Sequence, residues 1–480
     1  MKINILKKKV GNWLGENREY LIVSLIFLLV YGLLSVVKHF NFQTAAFDMG
    51  IFNQSLFLYA HGWLGPNTIR QVATLFGDHF EPIMLLISPL YYIFRSYTLL
   101  LVQIVAVIFG GTGVYLLVKK ETNDKKLAVG SLLIFHLFYG VYDAIVFDYH
   151  NGVLGIMLIP WLFYFWARRR WGWYYLMLVS TLLCKENLAL MLFCLGFSIW
   201  WWSDKRDKKH GLITAGLSVV YFLVVIYLII PQFNEGKYDH WLSYAKYGAT
   251  PVAGLIFFLT HPWELVKLFF DDIQKIKTWG MILMTGGILA FGKPKYSLIL
   301  LPVLAQKFLS ANPVYWGHIF HYSIEFSLVI AIGVGVFLGQ VKKPIWKYGL
   351  MVFFVIMNVI VLNSVHFYDG RTIRNVFLPK NYQIGFDRND VWGAMKMIPA
   401  GAAVSAQNTL VSHLADRRKI FLYPAVEDSE YIIFNLKDFS FWPTTKEDVE
   451  RDVLKYEQSG SGWDKVFDKG GVVLFRKINN

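Results

Sequence analysis

The chain has 480 residues, 55% of them hydrophobic and only 17% charged, with 17 Trp and a formal net charge of +14. Soluble domains carry about a quarter charged residues, so the composition excludes an ordinary soluble fold and points to a membrane. From Val365 onward 16 Lys and Arg face 15 Asp and Glu, so nearly all the excess charge lies in short loops between apolar runs, a positive-inside pattern that excludes a nucleic-acid surface.

The basic run Lys7, Lys8 and Lys9 precedes an apolar stretch with no small-residue cleavage site. It predicts a retained anchor with a cytoplasmic N-terminus. A span needs about 20 apolar residues. Leu21–Val37 runs outward, and Thr98–Val118 must return because it ends in Lys119, Lys120, Lys125 and Lys126. Residues 38–97 then form one long external loop, whose segment Pro82–Phe94 is too short and interrupted to span and is expected as a surface helix.

Leu127–Tyr142 exits and Gly152–Ala167 returns to Arg168, Arg169 and Arg170. The next basic cluster is Lys205, Arg206, Lys208 and Lys209; a single span between the clusters would put them on opposite faces. Two short spans keep both inside and place Lys185-Glu186 at the outer tip of a hairpin. Gly211–Ile230 exits to an external stretch, Pro231–Asp272, containing a surface helix. Ile273–Phe291, Tyr296–Leu309, Phe326–Gly339 and Leu350–Asn363 complete a tally of about eleven spans.

Residues 1–365 thus read as a transmembrane domain and 366–480 as a small extracytoplasmic α/β domain. In the latter Ala403–Ala406, Ile420–Tyr423, Tyr431–Asn435 and Val472–Phe475 are strand-like, and Thr409–Ala415 and Thr445–Tyr456 helical. The second helix opens with Thr444 or Thr445 as cap and Glu447 in its first turn. The only cysteines, Cys184 and Cys194, lie in apolar stretches, which excludes a disulfide framework or a cysteine metal site.

Acids, histidines and one lysine gather on the external side: Asp48, Asp78, His79, Glu81, Asp143, Asp148, His150, Lys185, Glu186, His318, His321 and Glu325. Their position at the ends of many spans points to a membrane-level external pocket. Asp48, flanked by Phe47 and Met49, suits either a general base or the N-cap of the helix after it. Asp78 and Glu81 suit caps of the surface helix, and Asp148-Tyr149-His150 an interfacial turn. Lys185-Glu186 is either a structural ion pair or a ligand site, since charges at membrane depth must be neutralised; lysine there can hold a phosphate as a point charge. His321-Tyr322 fits a phosphate contact or an aromatic-belt anchor. No cofactor is called for; a divalent cation stays open, with no tight metal-ligand spacing to support it.

Phe47-Asp48-Met49-Gly50-Ile51-Phe52-Asn53-Gln54, Gly77-Asp78-His79-Phe80 and Pro89-Leu90-Tyr91 together resemble the opening of the domain-of-unknown-function 2079 membrane proteins. Phe147-Asp148-Tyr149-His150, Cys184-Lys185-Glu186-Asn187-Leu188-Ala189 and His321-Tyr322 extend the resemblance, as do Val404-Ser405-Ala406-Gln407-Asn408 and His413-Leu414-Ala415-Asp416-Arg417-Arg418. One departure is Asn151-Gly152, where the family often has a proline and an acid. That family is similar in layout to GT-C glycosyltransferases, which transfer a sugar from a polyprenyl-phosphate carrier outside the cytoplasm. The resemblance implies Asp48 as general base, and Lys185 with His79 or His321 stabilising the departing lipid phosphate. It also implies a plasma-membrane protein whose partners are the polyprenyl-phosphate sugar, an unidentified acceptor and the bilayer. A transporter would favour internal repeats, and none is present; a scaffold with a partner-binding external domain is the other alternative.

Overall fold

The computed structural model describes residues 15–234, 239–367, 370–374 and 377–478; the basic run Lys7–Lys9 lies outside the described residues. The chain forms two compact units. One comprises residues 1–32, 103–229 and 237–374, and the other residues 33–102, 230–236 and 375–480.

Among the described residues four helices are long and apolar enough to cross a membrane: Arg18–Phe40, Ile83–Thr122, Lys208–Phe233 and Pro344–Ser364. A fifth is obtained if Lys125–Leu137 and Tyr139–Val146, bent by 44°, make one span. Their unpacked faces carry exposed side chains such as Leu29, Leu212, Val220 and Leu228, which suits contact with lipid rather than water. Reaching the eleven spans of the sequence reading requires counting shorter and broken helices as well.

The breaks have local causes. The segment expected at Ile273–Phe291 is interrupted by a π turn, Leu283–Gly287, where Gly286 adopts φ 121°, a value only glycine takes without strain. The segment Pro294–Phe308 is divided into Pro294–Ser297, Leu298–Leu300 and Leu301–Phe308, with Pro302 in the first turn of the last piece. The surface helix expected at Pro82–Phe94 is likewise three short turns, Ile83–Ile87, Ser88–Leu90 and Tyr91–Phe94, with Pro89 in the middle one.

In the helical unit the two short helices expected around Lys185-Glu186 are present as Trp171–Leu182 and Leu188–Trp202. At 1.5 Å per residue the first is about 18 Å long, well short of the ~30 Å hydrocarbon core. Leu188–Trp202 lies directly against Lys208–Val224 through two glycines: a Cβ on Gly196 would stand 2.5 Å from the Ala215 nitrogen, and one on Gly211 2.4 Å from the Trp200 nitrogen. Because the obstacle is backbone, Gly196→Val or Gly211→Val should force the helices apart. The expected cost is roughly 1–3 kcal/mol, seen as earlier unfolding in a detergent-solubilised thermal melt.

Buried Lys275 has its charge fully provided for. Lys275 Nζ donates to the Leu268 carbonyl (2.6 Å), Asp271 (2.7 Å) and the Phe308 carbonyl (2.9 Å), using all three donors of the ammonium.

In the other unit the C-terminal sheet has five strands: β1 Val404–Ala406, β2 Ile420–Leu422, β3 Tyr431–Asn435, β4 Trp463–Lys469 and β5 Val472–Lys477. Their order is β2-β1-β3-β5-β4, with β1 parallel to β2 and β3, and β5 antiparallel to β3 and β4. Tyr423, Ile432, Phe434, Val449, Val453, Val473 and Phe475 form the core on one face. The helix Lys446–Tyr456 covers it, opened by a capping box between Thr445 and Asp448. Two elements absent from the sequence reading are β4 and the helix Arg388–Lys396, which Asp387 caps.

Candidate functional site

In the helical unit, three helix N-termini come together around charged and aromatic side chains. His150 is the N-cap of Asn151–Ala167, and its ring accepts from the Gly152 amide. That ring stacks on His321, with centroids 3.6 Å apart, and His321 lies three residues before the helix Ile324–Gly339. Lys185 lies just before Leu188–Trp202, and its Cδ would be 3.6 Å from a Cβ on Gly152. All three side chains are largely buried. Each N-terminus carries the positive end of a helix dipole.

Two polar residues that the sequence reading passed over hold this arrangement. Gln103, buried in the helix Thr98–Thr122, donates to the Asp148 carbonyl (2.6 Å) and accepts from the His150 amide (2.9 Å). Those two bonds fix the turn in which Asp148 adopts φ 74°. Lys307, also buried, donates to the carbonyls of Gly317 (2.6 Å) and Tyr322 (3.2 Å), tying down the loop that carries His321. A lone amide or lysine in an apolar helix was the signal available for both. Lys307 and Lys185 also attract Glu325 at the start of the next helix. Tyr322 packs against the His321 ring, with centroids 4.3 Å apart. Glu186 is buried in the same turn as Lys185.

In the second unit, Asp48 is half-buried in the irregular turn Ala46–Gly50, where Phe47 leaves helical geometry and the Phe47–Asp48 peptide is cis. The next helix, Ile51–Ala60, has Gly50 at its N-cap and no side-chain capping bond, so the capping role open to Asp48 is not the one this helix uses. The turn rests on the C-terminal domain. Ala46 donates to Asn408 Oδ1 (2.9 Å), the Thr44 and Ser412 hydroxyls are 2.9 Å apart, and Phe47 meets Trp442 edge-on at 5.4 Å.

Behind Asn408, buried Asp438 accepts from Thr409 and Gln407. Burial pushes its carboxyl up to about 6, partly opposed by the Thr409 bond and the Phe439 and Ser440 amides. Asp78 and Glu81 were expected as caps of the surface helix. The helix Ile83–Ile87 instead has Pro82 at its N-cap without a side-chain bond, and Asp78 accepts two hydrogen bonds from Arg70 (3.1 and 3.2 Å). His79 follows Asp78 in the same loop and is partly buried. The structure thus gathers Asp148, His150, Lys185, Glu186, His321 and Tyr322 in the helical unit, and places Asp48, Asp78, His79 and Glu81 in the other.

Comparison with known proteins agrees with this architecture. The chain belongs to the DUF2079 family of predicted membrane proteins, whose profile matches residues 38–474. It is similar to the crystal structure of ArnT from Cupriavidus metallidurans bound to undecaprenyl phosphate. The TM-score is 0.54 at 11% identity, covering 96% of this chain and 98% of that one. It also aligns with an Archaeoglobus fulgidus oligosaccharyltransferase tethered to an acceptor peptide, with a TM-score of 0.44 at 10% identity over 88% and 70% of the two chains. Both neighbours are GT-C fold glycosyltransferases. No curated protein matches the chain in sequence.

Proposed function

We propose that this DUF2079 protein is a GT-C-like glycosyltransferase that moves a sugar from a polyprenyl-phosphate carrier to an acceptor hydroxyl on the extracytoplasmic side of the plasma membrane. In this reading the N-terminus is cytoplasmic, the chain crosses about eleven times, and the C-terminal domain lies outside. The observation that carries it is the meeting of three helix N-termini with Lys185 and the stacked pair His150 and His321. Helix N-termini favour anions through unsatisfied amides and the dipole, and a lysine and histidines add donors suited to a phosphate. The fold shared with ArnT supports the same class of donor.

The acceptor oxygen attacks the anomeric carbon as the bond from that carbon to the phosphate oxygen breaks, inverting its configuration. Asp48 takes the acceptor proton, and the polyprenyl phosphate leaves with the electron pair. Negative charge grows on the phosphate in the transition state, where fixed donors act without reorganisation. Lys185, His321 and Tyr322 take that role, with His79 as a further donor contact and Asp78, Glu81, Asp148, His150 and Glu186 in support.

The test is to incubate purified protein with a panel of radiolabelled polyprenyl-phosphate sugars and a membrane acceptor extract. Transfer from at least one donor is expected; no turnover across the panel would remove the proposal. Lys185→Met keeps most of the stem that lies over Gly152 and removes the charge. It should lower transfer by about 10²–10³-fold, and activity within a factor of ~2 of wild type would take Lys185 out of the mechanism.

A further inference from the structure

The motif Val404-Ser405-Ala406-Gln407-Asn408 stands at the junction of β1 and the helix Asn408–Leu414, and the proposed chemistry gives it no role. Gln407 is spent inside its own domain: Oε1 accepts from the Asn435 amide (2.9 Å), and Nε2 donates to the Ser440 carbonyl (3.1 Å) and to Asp438 (3.3 Å). Asn408 faces both ways. Its Nδ2 donates to Ser440 Oγ (2.9 Å), and its Oδ1 accepts from the buried Ala46, two residues before Asp48.

The grip continues on the other side of Asp48. The Asn53 side chain donates to the Ser412 carbonyl (3.2 Å), and a Cβ on Gly50 would stand 3.0 Å from Val411. Further along, Thr68 Oγ1 donates to the Ile420 carbonyl (2.6 Å) and accepts from the Ile420 amide (3.0 Å), joining the loop to β2. A domain that merely covered a surface would have no need of backbone-directed hydrogen bonds on both sides of one carboxylate.

We infer that the C-terminal domain is a positioning device for the Asp48 segment, with Asn408 as the residue that sets the turn. The inference rests on the reading of Asp48 as the base. Asn408 does not touch the reacting atoms; it holds the backbone from which the carboxylate projects. Within the turn the Gly50 amide donates to the Ala45 carbonyl (3.1 Å), whereas the Ala46 amide at its start donates outside it, to Asn408, so that end of the turn depends on the outside bond.

The experiment compares wild type, Asn408→Ala and Asn408→Asp as full-length protein, by amide hydrogen exchange and by transfer kinetics with the donor found active in the panel. Asn408→Ala should speed exchange across residues 44–50 by about tenfold or more, because the Ala46 amide loses its acceptor. Exchange in β3 and β5 should not change. Turnover should fall about tenfold at unchanged donor KM. Asn408→Asp, which keeps the acceptor oxygen, should restore both.

Unchanged exchange at 44–50 overturns the inference, and so does faster exchange with undiminished turnover. The exchange arm needs no substrate, so it still decides whether Asn408 holds the segment if no donor is turned over. Loss of the proposed function and loss of this inference are therefore read on different instruments.

Discussion

Asp48→Asn is expected to cut sugar transfer by about 10²–10⁴-fold, the range spanned by positioned general bases, while the protein remains folded and inserted. Asparagine matches aspartate in shape and accepts hydrogen bonds, but it does not take a proton. The half-buried setting of Asp48 leaves it reachable by an acceptor. The turn is held as well through the Ala46 amide, Thr44, Phe47 and Asn53, so the fold should survive an isosteric substitution that removes the chemistry. Transfer by the purified variant is the measurement, with near-wild-type gel filtration and thermal melt as controls; a rate within a factor of ~10 of wild type would leave Asp48 no part as base.

The second large effect concerns acid. His413, on the helix Asn408–Leu414, stacks on His39 with centroids 4.0 Å apart and lies 4.2 Å from the Phe42 ring centroid, with Trp392 edge-on at 5.7 Å. Burial among these rings pushes its imidazole down from 6.5 to about 3. The folded state then binds fewer protons than the unfolded chain between those values. Stability from this group is complete above about 6.5 and is lost as pH falls towards 3, to an upper bound of about 5 kcal/mol, with about 2 kcal/mol gone by pH 5.

Asp438, raised to about 6, works the other way between about 4 and 6, so a single pH curve mixes the two. His413→Phe keeps an aromatic ring against His39 and removes the titration. The stability gap between variant and wild type should move in favour of the variant as pH drops from 7.5 to 5. It is followed by thermal melts monitored by circular dichroism. A gap constant with pH would assign the acid response to other groups.

Charge and hydropathy made several elements legible. The paired basic clusters at Arg168–Arg170 and Lys205–Lys209 required a hairpin between them, and the two short helices flanking Lys185-Glu186 are there. In the tail Thr445 caps its helix as its position suggested. The strand β4 escaped notice because Asp464, Lys465, Asp468 and Lys469 break its apolar alternation, as befits a charged edge strand. The available signal was Gly470-Gly471, both at positive φ, which turn β4 directly into β5. The helix Arg388–Lys396 was likewise marked only by its Asp387 cap. Gly286 and Pro302 interrupt apolar runs that a simple length rule reads as continuous, and Pro89 breaks the surface segment Pro82–Phe94.

By itself, then, the sequence determined that the chain belongs in a membrane, which loops collect positive charge and where the charged hairpin tip falls. Those properties follow from the cost of moving each residue out of water, a sum taken along the chain with no need of partners. Tertiary structure alone decided that His150 stacks on a histidine 171 positions later, which helix N-termini that pair joins, and that Asn408 supports Ala46 across 362 residues. Such pairings come from packing and hydrogen-bond satisfaction between distant segments, and no periodicity or composition records them.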